Sequence, residues 1–526
     1  MKKILIPVSA LFLAGFSQAQ LTQTENYVYS KTYLSDPSFS NPKTLETVQY
    51  LDGLGRPKQV VNVKASPTGK DVVSHIEYDQ YGRQLKDYLP IPQSNTLNGG
   101  IYNAPLSNAP IPYGSEKIYA EKILESSPLS RVFEQKQVGN AWNDKPVKFE
   151  YSANSVDDAV KKYTTATTTV NGATNSVLSQ IVNYEADKLF KNTVTDEDGN
   201  KTIEFKNGEG QTLLVRKMLN ETTKVDTYYV YNEYNQLAFV IPPLASNITT
   251  LSLSDLENLC YQYKYDNENR LAEKKLPGKG WEYMVYDKQD RLVLTQDANL
   301  RTTANNFAAK GWMFTKYDQF GRVVYTGFFS NTATRQAMQN AINSMVANAG
   351  NNETRSETSF NLNGMDVFYT KNAFPTGSMR ILNVNYYDTY PSYSFNPAFP
   401  STIYGKTVLT DNAATLGKST KSLPVMTLVK NIEDDNWSKS YSYYDTKGRP
   451  VGSYAINHLE GYTKTESDLD FSGAVLQTKT YHKRLSTDTE KVITETFSYD
   501  HQNRLLTHKH KVDNNTEEIL AQNEYN

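Results

Sequence analysis

One phrase recurs along the chain: a tyrosine, then Asp or Asn, then Gly, Asn or Asp three residues later, then Arg. "YKYDNENRL", "YMVYDKQDRL", "FTKYDQFGRV", "YSYYDTKGRP" and "FSYDHQNRL" are five of its spellings. Seven complete copies are led by Tyr78, Tyr231, Tyr265, Tyr286, Tyr317, Tyr444 and Tyr499. The second position holds Asp79, Asn232, Asp266, Asp287, Asp318, Asp445 and Asp500. Next come Gly82, Asn235, Asn269, Asp290, Gly321, Gly448 and Asn503. The phrase closes on Arg83, Gln236, Arg270, Arg291, Arg322, Arg449 and Arg504. Self-similarity of this kind marks one supersecondary unit repeated along a chain.

Each position has a physical reason. The tyrosine ends a strand, often with an aromatic two residues earlier (Tyr229, Tyr263, Phe497), so both rings share a face. Asp or Asn starts a turn because its side chain accepts from backbone N–H groups just ahead. Gly, Asn and Asp are the residues that tolerate the left-handed backbone a tight hairpin needs. The arginine opens the returning strand, where it can reach carboxylates of a neighbouring hairpin or the turn Asp, and can stack on a tyrosine. The expected fold is mainly β: successive hairpins in one continuous, spiralling sheet that forms a partial hollow shell, with a few short helices. Looser copies stand at Tyr50, Phe205 and Phe471, and Tyr525-Asn526 begins an eighth. Open sheet edges in an incomplete shell predict poor solubility or self-association.

The phrase resembles the YD repeats of the RHS family, which also occur in insecticidal toxin-complex subunits and teneurins. "TYYVYNEYNQLAFVIPP" and the stretch Val48 to Pro90 resemble the secreted RHS-type proteins of Bacteroidetes and their N-terminal domain. The resemblance implies a shell that encloses or presents a C-terminal effector, toxin-like in the full-length context. It implies a non-enzymatic scaffold whose partners are the remaining C-terminal part of the shell or its effector. The family's core region, with its Asp-Pro-x-Gly stretch, has no copy here, so self-cleavage cannot be carried onto any residue. The chain reads as the front part of a longer protein.

Composition narrows the alternatives. With 55 Lys+Arg against 57 Asp+Glu, there is no electrostatic case for nucleic acid. Residues 1–19, "MKKILIPVSALFLAGFSQA", read as a Sec signal peptide, so the mature chain is expected to be secreted or held at the outer cell surface. No later segment is apolar for long enough to span a membrane. The only cysteine, Cys260, cannot form an internal disulfide. It is expected to be packed behind a short helix capped by Ser254 and Glu257.

The expected organisation is a β-rich N-terminal domain over 20–165, repeats over 166–330, an insertion over 331–437, and repeats again over 438–526. Short helices are expected around Lys117 to Leu124 and in "SVDDAVKKY". Asn171-Gly172 suits a hairpin tip, with a mobile linker as the alternative. "TRQAMQNAINSMVANA" places Ala337, Met338, Ala341, Ile342, Met345 and Val346 on one helical face, read as packed on the shell wall or its rim.

No catalytic, cofactor or metal residues are assigned. "DEDGN" reads as a turn, not a calcium loop, and His508 and His510 lack a partner cluster. No GxSxG, HExxH, P-loop or Rossmann fingerprint is present. The main alternative to a scaffold is an adhesin or carbohydrate-binding module that uses exposed Tyr and Arg to hold surface glycans.

Overall fold

The computed structural model describes residues 21–414 and 416–525. Residues 1–19, read above as a signal peptide, lie outside them. The chain is mainly β, as its repeats predict, and twenty-four of its strands lie in one antiparallel sheet that returns on itself. The run starts at Lys86–Tyr88, continues through Tyr119–Leu124, Val132–Lys136 and Val147–Ala153, and joins Phe190–Thr195. From there it follows chain order to Glu518–Gln522. Residue-by-residue pairing links every neighbour in the run except its first and last strands. The closed order makes those two neighbours as well, and a separate five-stranded sheet within residues 26–92 skips Lys86–Tyr88, which belongs to the wall. Lys43 Nζ donates to Asp500 O at 2.5 Å and also reaches Asn503 Oδ1. His501 Nε2 lies 2.7 Å from Lys64 O.

Between residues 237 and 317, hairpins differ from the joins between them. Inside the hairpin Tyr261–Lys275, four residue pairs are in register. Its joins to the preceding and following hairpins keep two pairs each. A short ladder leaves backbone groups to be satisfied in other ways. Thr174 Oγ1, from the hairpin Lys161–Asn183, accepts from Tyr265 N at 2.9 Å. Gln339, from the helix Arg335–Asn343, accepts from Tyr286 N at 3.0 Å and donates to Tyr286 O at 2.7 Å.

The wall draws on more of the chain than the repeats. Met379–Tyr387 and Pro424–Lys430, from inside the expected insertion, are wall strands paired with each other. The rest of that segment supplies a small hairpin, Arg355–Leu362 with Met365–Tyr369, and the helix Arg335–Asn343. Both pack into the largest apolar core, with Trp312, Phe314, Tyr325, Ile381 and Leu428. A ring of sixteen to eighteen strands already leaves an open channel, so a longer ring has room for these segments.

Several local expectations need correction. Lys117 to Leu124 is not helical: Tyr119–Leu124 is a wall strand paired on both sides. Tertiary pairing outweighs a marginal helical pattern there. The helix before Cys260 is Leu253–Leu259, and its capping box is Ser252 with Asp255, two residues earlier than expected. The helix after Thr334 stops at Asn343, and its buried face is Arg335, Met338, Gln339 and Ile342. Ala337 and Ala341 face outward, and Val346 is exposed beyond the helix end. In "SVDDAVKKY" the helical part is the single turn Val156–Asp158. Lys161–Val170 and Ala173–Asn183 form a hairpin whose tip is Asn171-Gly172.

Candidate functional site

The repeated chemistry is concentrated at the hairpin tips. In the unit led by Tyr265, Asp266 N donates to Arg270 O at 2.9 Å, and Asn269 N donates to Asp266 O at 3.1 Å. Asp266 Oδ1 accepts from the backbone N–H of Glu268 at 3.1 Å and of Arg270 at 2.8 Å. Its other oxygen takes Arg270 Nε and Nη2, both at 2.8 Å. The carboxylate therefore closes the turn and clamps the arginine that leaves it. Asn269 sits at φ 63°, as the left-handed position requires. Asn235, Asp290 and Asn503, and the glycines Gly82, Gly321 and Gly448, share that conformation. One extra residue interrupts the ladder beside each of these tips inside the wall, next to Tyr231, Tyr265, Tyr286, Tyr317, Tyr444 and Tyr499.

Each tip is also bonded to the next. Arg270 Nη1 donates to Asp287 O at 3.2 Å and to Asp290 Oδ1 at 2.7 Å, and its guanidinium lies 4.9 Å over the Tyr286 ring. In return, Tyr286 Oη donates to Leu271 O at 2.8 Å, on the residue after that arginine. Arg291 and Tyr317 repeat the arrangement: Nη1 to Asp318 O at 3.1 Å, stacking at 4.8 Å, and Tyr317 Oη to Leu292 O at 2.8 Å. Tyr265 Oη bonds Leu237 O, Tyr444 Oη bonds Pro424 O, and Tyr499 Oη bonds Val475 O. In the N-terminal sheet Arg56 lies 4.2 Å over Tyr78, whose hydroxyl donates to Pro57 O. Arg83 and Arg504 each clamp their own turn carboxylate, Asp79 and Asp500, and Arg449 holds Asp445 while also donating to Asp470 O. At Asn232 the clamp is neutral: its amide donates to Gln236 Oε1, and Gln236 donates to Asn269 Oδ1 at 2.6 Å.

The array extends beyond the seven complete copies. Tyr387-Asp388 is followed by neither the glycine nor the arginine, yet it receives Arg322 like any other unit. The guanidinium bonds both Asp388 oxygens and lies 4.4 Å over Tyr387, whose hydroxyl donates to Val323 O. Tyr525 receives Arg504 at 4.5 Å and donates to Leu505 O at 2.8 Å. The loose copies also fall one or two residues away from their aromatic rings. Turns start at Asp52, Asn207 and Asp470, and Tyr50 and Phe205 are core side chains instead.

Asp79, Asp388, Asp445 and Asp500 are held below the usual carboxylate range. The backbone N–H of Arg83, then its side chain, keep Asp79 below the usual carboxylate range. For Asp445 and Asp500, burial would raise the pKa, but bonds from the arginine's backbone and side chain outweigh it and the net shift is downward. Asp388 is lowered chiefly by the Arg322 side chain.

These bonds leave little for a ligand. The motif arginines bond protein groups, with Arg504 Nη2 left buried and unpartnered, and the rings of Tyr78, Tyr286, Tyr317, Tyr387 and Tyr525 each carry a guanidinium on one face. Exposed rings occur one position before the left-handed residue: Tyr81, Tyr234 and Phe320, each more than 60% exposed. A cavity of about 320 Å³ is lined by Pro397, Pro400, Tyr443, Tyr454, Lys464 and Glu466 among others. His508 bonds Glu495 at 2.9 Å and stacks on Phe497. Among the described residues no group of three or more His, Cys, Asp or Glu side chains is placed to hold a metal ion. Nor is any helix long and apolar enough to cross a membrane. Cys260 is buried, and burial pushes its thiol up to about 11.

Comparison with known proteins gives a match of residues 22–154 to a family described as a domain of unknown function, DUF6443. No curated protein matches the chain. Among solved structures it is similar to the crystal structure of TcdB2-TccC3-Cdc42, at 11% identity and a TM-score of 0.44, over 92% of this chain and 21% of that one. It is also similar to TcdB2-TccC3-TEV, at 10% identity and a TM-score of 0.45, over 92% and 22% of the two chains. TcdB2-TccC3 without its hypervariable C-terminal region gives 11% identity and a TM-score of 0.45, over 94% and 22%. The chain thus spans about a fifth of the length of these structures.

Proposed function

We propose that this chain is a non-enzymatic wall segment of an exported RHS/YD-repeat shell, of the kind that encloses or presents a C-terminal effector. The observation that carries this reading is the reciprocal lock between tips: arginine to the next turn and tyrosine back to the preceding strand. A binding surface needs free donors and ring faces, whereas a wall needs its repeats joined to one another, and the motif residues are spent on joining. The proposed organisation is an N-terminal domain over 20–165 and two stretches of repeats on either side of 331–437. The remainder of the shell or its effector is the partner this role calls for.

The test is enclosure. The full chain is extended at its C-terminus by a small protease-sensitive reporter domain, and external protease is added. Cleavage of the reporter should be slowed well below that of the free domain. Cleavage at the free-domain rate contradicts enclosure.

A second reading is surface glycan binding, and the exposed rings of Tyr81, Tyr234 and Phe320 favour it. Aromatic faces stack on sugar rings, and although the Arg83 and Arg322 guanidiniums lie 5.0 Å over Tyr81 and Phe320, none of the three rings makes a hydrogen bond of the lock. If the reading holds, glycan-array signal disappears when all three are changed to alanine while the melting temperature stays put. No array signal from the parent chain excludes it.

A further inference from the structure

The most enclosed polar cluster lies under the wall strand Gly311–Tyr317, next to the tip arginine Arg291, which donates to Gly350 O, Asn351 O and Asn352 Oδ1. Lys316 and Glu353 are both 0% exposed and pair at 2.9 Å. Lys316 Nζ also donates to Ala373 O at 2.8 Å. Glu353 accepts in addition from the Tyr325 hydroxyl, the Thr370 hydroxyl and the backbone N–H groups of Asn372 and Ala373. Beside it, Asn351 is 2% exposed and adopts a left-handed backbone, φ 46°. Its Oδ1 accepts from Phe374 N at 2.6 Å, but its buried Nδ2 has no hydrogen-bond partner. A buried ion pair is not needed for stability, since a packed apolar trio would hold the site as well. An unpartnered buried amide nitrogen calls for an explanation of its own.

The backbone brings these groups together. Tyr317 and Asn352 form a parallel bridge, and Glu353 N donates to Tyr317 O at 2.8 Å. Lys316 and Asn351 are the residues immediately before the bridged pair, so they stand alongside one another. Both side chains bond the same peptide unit from its two edges: Lys316 the oxygen of Ala373–Phe374 and Asn351 its N–H. The Tyr325 ring lies 5.2 Å from Nζ and helps to exclude water.

We infer that Lys316 and Asn351 become joined by an intramolecular isopeptide bond, with Glu353 as the group that moves the proton. Asn351 rotates off Phe374 N–H and Lys316 releases Ala373 O. Glu353 takes a proton from the Lys316 ammonium, and the neutral amine attacks Cγ of Asn351. Glu353 returns that proton to Nδ2 as the Cγ–Nδ2 bond breaks. Ammonia leaves with the second amine proton as ammonium, and Glu353 ends as the carboxylate it began as. No oxidant or co-reactant is needed. Burial holds the Lys316 pKa below its usual range, which favours the neutral amine. The product would tie the wall to the loop that carries the small hairpin, in a chain whose one cysteine can form no internal disulfide.

Peptide mass spectrometry of the full chain tests this. Trypsin should release Gly311–Arg322 covalently joined to Gln336–Arg355, uncut after Lys316, with the mass of one ammonia, about 17 Da, missing from their sum. Asn351→Ala keeps the Lys316–Glu353 pair and should abolish the joined species; Glu353→Gln should reduce its yield at least tenfold. The inference is overturned if the unmodified chain gives two separate peptides with cleavage after Lys316. A joined species that lacks water instead of ammonia, with the link at Glu353, also overturns it.

Discussion

Arg291 illustrates what a single side chain contributes to the array. It clamps Asp287, bonds Asp318 O in the next tip, stacks on Tyr317 and reaches Asn352 and Gly350. A lysine would keep the charge but lose the planar fork that serves several acceptors at once. Arg291→Lys should therefore cost about 1–3 kcal/mol, read as a lower urea midpoint, whereas Lys288→Arg on the same tip should change little. The turn carboxylates give the array a pH dependence of definite sign. Asp79, Asp388, Asp445 and Asp500 have folded-state pKa values below their ordinary ones. Their contribution is present in full above the unfolded carboxylate pKa, about 4, and is lost as pH falls through the lower folded values. The melting temperature should stay flat from neutral pH down to the unfolded carboxylate value and drop below it. Most of this was legible in the sequence, because turn chemistry is local: the position before the arginine demanded Gly, Asn or Asp, and all seven adopt the left-handed backbone. Which tyrosine each arginine covers was not legible, since that partner belongs to another repeat.

At the scale of elements, the hairpins between residues 261 and 296 are well paired internally and thinly paired to their neighbours, and borrowed side chains complete the joins. Gln339 takes the place of a strand opposite Tyr286, and Met338 and Ile342 anchor its helix in the core. Gln339→Leu should leave both backbone groups of Tyr286 unpaired at a cost of about 1–3 kcal/mol. Amide exchange at Tyr286 should then accelerate while exchange in the N-terminal sheet does not. Cys260 belongs to this scale as well. It sits at the end of the helix Leu253–Leu259, against Leu214, Val230 and Phe239 in the same apolar cluster. With its thiol raised to about 11 by burial, it should react with a thiol reagent only once the chain unfolds. The helix after Thr334 was visible in its sequence period, but its face was misjudged. Counting apolar residues favoured Ala337 and Ala341, while the wall selected Gln339 for its amide and Arg335 for the contact to Asn171 O and Glu273. The strand Tyr119–Leu124 was lost for a related reason, as its partners lie on separate segments.

Over the whole molecule, the wall curves until its ends approach, and the N-terminal sheet is bonded to the last complete tip. The final strand, Glu518–Gln522, exposes Ile519 and Leu520, each at 56%, and its residue-by-residue pairing is with Leu505–Val512. A strand with an exposed apolar pair and one thinly bonded edge invites pairing with another chain. Changing Ile519 and Leu520 to lysine should therefore lower self-association in sizing experiments without lowering the melting temperature. The join between the two ends left no trace in the sequence, because Lys43 and His501 look like ordinary surface residues until the ring is closed. That join is also where the account is most directly exposed to measurement. Cysteines are placed at Lys43 and Asn503, with Cys260 buried and silent, and a short bismaleimide is added to dilute native protein. A closed wall predicts rapid crosslinking within one chain, at a yield that does not depend on concentration. Crosslinks only between chains, or none, would contradict a wall that returns to its own beginning.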